Sequence, residues 1–188
     1  MRLVNEKRLV KTGKILHLDG DRRYSQKAVK TYKKMGLDAI VKNIPENKQA
    51  QMVRPLLEKY NPDILVITGH DAYYRKKRSG NNYKNTSNFV LAVKEARKYE
   101  SSHEKLFIIA GACQSNYEEL IRAGANFASS PKRINIHALD PAIIAISISK
   151  TENTKELNVI ELLNKTKCGK DGIGGIKSYG SMYVGYPR

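Results

Sequence analysis

Two stretches, Ile64-Leu65-Val66-Ile67-Thr68-Gly69-His70-Asp71 and Leu106-Phe107-Ile108-Ile109-Ala110-Gly111-Ala112-Cys113-Gln114-Ser115, decide how this chain folds. Each begins as a continuous apolar run, the pattern of a strand buried on both faces of a parallel sheet. Each run breaks at a glycine and then presents one reactive side chain, first His70 and then Cys113. The residues between them suffice for one crossover helix, so the runs are expected to be neighbouring parallel strands. Their carboxyl ends then lie side by side, which is where open α/β sheets build their sites.

Outward from this pair, strand and helix patterns alternate at short spacing. Residues 14–18 read as a first strand, and Asp19-Gly20-Asp21 as a turn that also caps a helix from Arg22 to about Met35. Gly36 ends that helix, residues 37–44 read as a second strand, and Pro45 opens a helix to about Tyr60 in which Pro55 predicts a kink. The third and fourth strands are residues 63–69 and 105–110, separated by a polar, basic stretch at 71–85 that reads as an exposed loop and by a helix that Thr86 caps. Gln114 or Ser115 starts a helix closed by Gly124, and residues 125–129 form a fifth strand. Residues 140–150 suit a helix or an Ile-rich strand, 159–163 a short helix, and the Gly-dense chain from Lys165 onward irregular structure. The fold class expected is α/β, a three-layer sandwich with a mostly parallel sheet, flavodoxin-like or caspase-like.

Length and composition bound the function. With 188 residues, 40% hydrophobic and 28% charged, the chain is expected to be one domain over 1–188 with a substantial core. A net charge of +16 predicts attraction to polyanions and acidic surfaces. The lysines are scattered, however, apart from Arg75-Lys76-Lys77-Arg78, and no aromatic platform interleaves them, so no specific nucleic acid is expected as a partner. The apolar stretch at 141–148 falls far short of the roughly 20 residues of a membrane span. With no signal-peptide core at the amino terminus, the expected address is cytoplasmic, with no membrane partner. Cys113 and Cys168 lack metal-ligand spacing, so neither a metal nor a cofactor is expected.

The chemistry follows from the strand ends. A cysteine just ahead of a helix has its thiolate favoured by the helix dipole, and a nearby imidazole can take its proton. Cys113 is therefore the candidate nucleophile and His70 the candidate base. The amide of Cys113 and one from residues 69–71 would stabilise an oxyanion. Each residue has a plainer explanation, Cys113 as a small buried hydrophobe and Gly69-His70-Asp71 as a turn. Their coincidence on equivalent strand ends favours the dyad. His17 and His103 read as structural, His137 is the reserve base, and Ser115 reads as a helix cap.

Leu16-His17-Leu18-Asp19-Gly20-Asp21, Val66 to Asp71, Ile109 to Ser115 and Asn135-Ile136-His137-Ala138-Leu139-Asp140-Pro141 carry a resemblance. Over essentially its whole length the chain resembles the YabG family of sporulation-specific peptidases of spore-forming Firmicutes. The resemblance implies a cysteine endopeptidase of the mother cell and spore coat, whose partners are coat and cortex-lytic proteins. It covers the carboxyl-terminal catalytic part of that family, whose members usually carry an additional amino-terminal domain absent here. The order of a His on the order of 50 residues before a Cys is also similar to that of caspase-like peptidases. In those a Gly follows the catalytic His, whereas here Gly69 precedes it and Asp71 follows.

The same similarity implies the substrate contacts. Residues ending the first strand and the residue two before the Cys line the S1 pocket in such enzymes. That implies Asp19, Asp21 and Gly111 as substrate-binding residues and an Arg at P1, held by a charge-assisted contact, and Asp71, directly after His70, is expected to join them. Asp21 has helix capping as its plainer role. Arg75 to Arg78 and Arg188 then become sites of self-cleavage. Two alternatives stand beside the peptidase: a Cys-dependent amidase using the same dyad, and a receiver-like or flavodoxin-like signalling module. The last is suggested by Leu18-Asp19-Gly20-Asp21, but the third strand ends in Gly69-His70 rather than a phosphorylatable Asp.

Overall fold

The structure, a computed structural model, describes residues 9–75 and 82–185. In chain order the elements are β1 (Leu9–Lys11), β2 (Ile15–Asp19), α1 (Arg22–Lys34), β3 (Ile40–Asn43), α2 (Glu46–Tyr60), β4 (Ile64–Thr68), α3 (Thr86–Tyr99) and β5 (Phe107–Ala110). Then follow α4 (Tyr117–Ala123), β6 (Phe127–Ser129), α5 (Asp140–Lys150), α6 (Val159–Asn164), α7 (Gly169–Gly172), β7 (Ile173–Gly175) and β8 (Tyr183–Gly185). One sheet runs β3-β2-β4-β5-β6-β7, parallel throughout except for β7, and β1 pairs with β8 in a separate antiparallel ribbon.

The sandwich follows from the pleat. Successive strand residues point to opposite faces, so Ile64, Val66, Phe107 and Ile109 pack under α1 and α5. Leu65, Ile67, Ile108 and Ala110 pack under α2, α3 and α4. Both faces being covered explains why the strands are apolar without alternation. Residues 140–150 are helical despite their isoleucines, because Ala142, Ile144, Ala145 and Ile148 are wholly buried against the first of these faces. Packing outweighs the small helix penalty of a β-branched side chain.

Several boundaries differ from the expectation. The second strand begins at Ile40 rather than 37, because Leu37 belongs to the helix ending: its N–H reaches the carbonyl of Tyr32 past Gly36, a Schellman arrangement, and its side chain is buried. Pro55 lies within α2 without ending it, on the exposed face, as does Gln51, whose carbonyl loses its helical partner to the proline. The Gly-rich tail is more ordered than expected, since β7 and β8 form in it. Ile173 is fully buried and Gly175 lies against the ring of Phe127, too close for any side chain. Among the described residues no helix is long and apolar enough to cross a membrane.

Candidate functional site

The chain passes from β2 outward to the edge at β3 and returns on the other side at β4, so the sheet's switch point lies between β2 and β4. Ile67 pairs with Ala110, which places His70 and Cys113 at equivalent positions three residues beyond that pair. A cleft of about 380 Å³ opens there. Asp19 and Asp21 line it from the end of β2, His70 and Asp71 from β4, and Gly111 and Cys113 from β5. His137, in the segment between β6 and α5, lines it as well. All the residues singled out for the site therefore share one cleft.

The ring of His70 stands between two carboxylates. Its Nε2 is 3.2 Å from Asp21 Oδ2 and its Nδ1 is 3.5 Å from Glu46 Oε1, with the side chain 55% exposed. Its N–H donates to Glu46 at 2.7 Å and its carbonyl accepts from Asn85 Nδ2 at 2.8 Å. Cys113 is half-buried, its thiol directed at the carbonyl of Ile136, 3.6 Å away. Among the described residues no hydrogen bond joins His70 to Cys113, and the N–H of Cys113 makes none. The next amide, that of Gln114, is engaged by Ile134 and Ser130.

Local backbone sets this turn. Gly111 has φ of 108°, and a Cβ there would press on Leu120 and Ser129, so a side chain is excluded on both counts. Gln114 takes φ of 58°. Its amide side chain holds that conformation by accepting from the N–H of Tyr73 and donating to Asn135. The helix after Cys113 starts at Tyr117 with Asn116 as its cap, later than expected, so Cys113 lies on the turn before the helix and its dipole is remote. Ser115 is not the cap. It is fully buried, accepting from the N–H of Ala112 and donating to Asp71.

The acidic residues divide by burial. Asp19 is 3% exposed, with one oxygen accepting from the N–H of Asp21 and the other from Thr68, and burial pushes its carboxyl pKa up. Asp21 does cap α1, through Oδ1 to the N–H of Tyr24, and that bond holds its pKa below the ordinary value. Its Oδ2 faces the cleft. Asp71 is buried and occupied within the protein, accepting from Ala72, Asn85, Thr86 and Ser115. His137 is 41% exposed, 4.0 Å from the buried Asp140 carboxylate. Among the described residues, no group of three or more His, Cys, Asp or Glu side chains is arranged to hold a metal ion.

Two participants went unread in the sequence. Glu46, in the first turn of α2, and Asn85, at the end of the 71–85 loop, are not among the residues that the sequence singles out. The available signal for Glu46 was position, since a helix following a parallel strand starts at the same end of the sheet as the site.

Fold and cleft together define an open α/β protein with an imidazole, a thiol and acidic groups gathered at the switch point of a parallel sheet. The chain belongs to a peptidase family: the family model described as YabG peptidase U57 matches residues 2–187. The sporulation-specific protease YabG of Bacillus subtilis (strain 168) is 48% identical over 178 residues, covering 93% of this chain and 61% of that protein. The chain thus spans about three fifths of the curated relative's length. No solved structure matches it.

Proposed function

We propose that residues 1–188 act as a peptidase domain, a cysteine endopeptidase of sporulation with Cys113 as nucleophile and His70 as base. The observation that supports this best is the equivalent placement of His70 and Cys113 on adjacent strand ends of one cleft, in a chain of a peptidase family. His70 takes the thiol proton as sulfur attacks the scissile carbonyl carbon, and the oxyanion is met by the free N–H of Cys113. The imidazolium gives its proton to the leaving amine as the C–N bond breaks, leaving a thioester. Water, deprotonated by His70, then releases the carboxyl product and restores the thiol. His137, which lines the same cleft, stands in reserve as base.

An Arg side chain at P1 suits the cleft, where Asp21 Oδ2 offers a charge-assisted contact and the bare Gly111 leaves room. A guanidinium that takes Asp21 also removes it from His70 Nε2, which frees that nitrogen for Cys113. Asp19 and Asp71 then act by shaping the turns rather than by touching substrate. Coat and cortex-lytic proteins are the substrates proposed, with action in the mother cell and at the spore coat. Arg75 is exposed, as self-cleavage requires, while Lys76 to Arg78 and Arg188 lie outside the described residues.

The test is digestion of a peptide panel and an Arg-containing coat protein by wild type, Cys113→Ala and His70→Ala, with folding followed by circular dichroism. Both variants are expected to stay folded and lose cleavage, and wild-type fragments to end in Arg. Full cleavage by Cys113→Ala overturns the cysteine mechanism, and cleavage indifferent to P1 overturns the Arg pocket.

A further inference from the structure

Glu46 opens α2, yet its carboxylate turns to His70, at the margin of the cleft. Three pieces of chain converge on it: the turn after β2, the turn after β4, and its own helix. A Cβ at Gly20 or at Gly69 would land on the Glu46 carboxylate, so both turns are bare where it passes. The side chain is 15% exposed. Its Oε1 accepts the backbone N–H of His70 at 2.7 Å and stands 3.5 Å from Nδ1 of the same residue. One turn further along α2, Gln49 donates to the carbonyls of Ile44 and Thr68, pinning the helix start to the end of β4. The backbone from which Glu46 reaches the turn is thus fixed against the end of β4 by Gln49.

An imidazole whose Nδ1 faces a fixed carboxylate has its tautomer and direction set by that partner. Nε2 is then the nitrogen left for chemistry, and it is the one on the side of Asp21. We infer that Glu46 is the positioning residue of His70, orienting Nε2 for the Cys113 proton and stabilising the imidazolium that results; this rests on the proposed Cys113 and His70 mechanism. The charged and titratable groups around the ring are Asp19 and Asp21 from the β2 turn, Glu46 from α2, Asp71 beyond β4, Cys113 beyond β5, and Arg23, Tyr24, Lys27 and His137 lining the cleft. Asp21 already serves as a helix cap and faces substrate, which leaves Glu46 as the anion available throughout the cycle.

Glu46→Gln keeps an oxygen for the His70 N–H and the shape of the side chain but removes the charge. Steady-state cleavage of an Arg peptide is expected to show kcat lowered about ten- to a hundred-fold with KM little changed. Glu46→Asp, which keeps the charge, is expected to recover part of that kcat loss. Wild-type kcat in a folded Gln variant, or a folded Glu46→Asp variant no faster than it, overturns the assignment. Should the Gln variant not fold, a folded Glu46→Asp variant with a kcat no higher than that of a third variant, Glu46→Ala, overturns it instead. Cys113→Ala is run alongside: cleavage by that variant defeats the mechanism itself, whereas its silence beside a wild-type Gln variant defeats Glu46 alone.

Discussion

His17 occupies the middle of β2 with no exposed surface, and both ring nitrogens are used. Thr68 donates its hydroxyl to Asp19 Oδ2 at 2.8 Å, so His17 Nε2–H donates to Thr68 and Tyr32 donates to Nδ1. This neutral chain runs from the core under α1 to the carboxylate that anchors the cleft turn. Burial lowers the His17 pKa from its ordinary value to about 3. The unfolded chain therefore binds a proton that the folded one refuses, and stability contributed by neutral His17 is lost as pH falls from about 6.5 toward 3. The full loss is on the order of 5 kcal/mol. Asp19, with its pKa raised by burial, acts in the opposite sense on acidification. Denaturant titrations between pH 7 and 4 are expected to show a shallower acid slope for His17→Gln than for wild type, and equal slopes would contradict this role. The assignment of His17 as structural was legible because it sits mid-strand between leucines. The commitments of Asp71 were not, since its partners Thr86 and Ser115 come from distant parts of the chain and its sequence neighbours say only that an Asp follows a His.

At the scale of elements, Asp71 is a four-way tie. Its carboxylate joins both ends of the 71–85 loop, the first residue of α3 and, through Ser115, the amide of Ala112 in the turn that carries Cys113. Asp71→Ala would leave several buried donors unpaired, costing on the order of 3 kcal/mol. Chemical denaturation is expected to show that loss together with a fall in cleavage that substrate concentration does not restore. A variant as stable as wild type would refute the tie. The elements themselves were legible where periodicity was long: β2, β4, β5 and the three longest helices stand close to where the residue pattern puts them. The short ones were not. β7 is three residues including two glycines, and its pairing beside β6 comes from Ile173 entering the core and from the close fit of Gly175 on Phe127 rather than from any propensity. The choice between helix and strand at 140–150 was likewise open until packing under the sheet decided it.

For the whole molecule, parallel order is what brings chemistry together. The elements β2, β4 and β5 are neighbours although one or two helices separate them in sequence, so acid, imidazole and thiol from three parts of the chain meet at one end of the sheet. The glycine-terminated apolar runs disclosed two of those groups, and knowledge of the parallel sheet would have disclosed Glu46. The excess of basic residues predicts that the molecule at large attracts acidic surfaces, an attraction that salt weakens, while Asp21 Oδ2 gives the cleft a carboxylate of its own. The most direct measurement is peptide mapping by mass spectrometry after exposure to an arginyl chloromethyl ketone at neutral pH. The account predicts a single stoichiometric adduct on Cys113, lost in His70→Ala and slowed by an excess of Arg peptide; adduct formation on Cys168 instead, or equal labelling without His70, would contradict it.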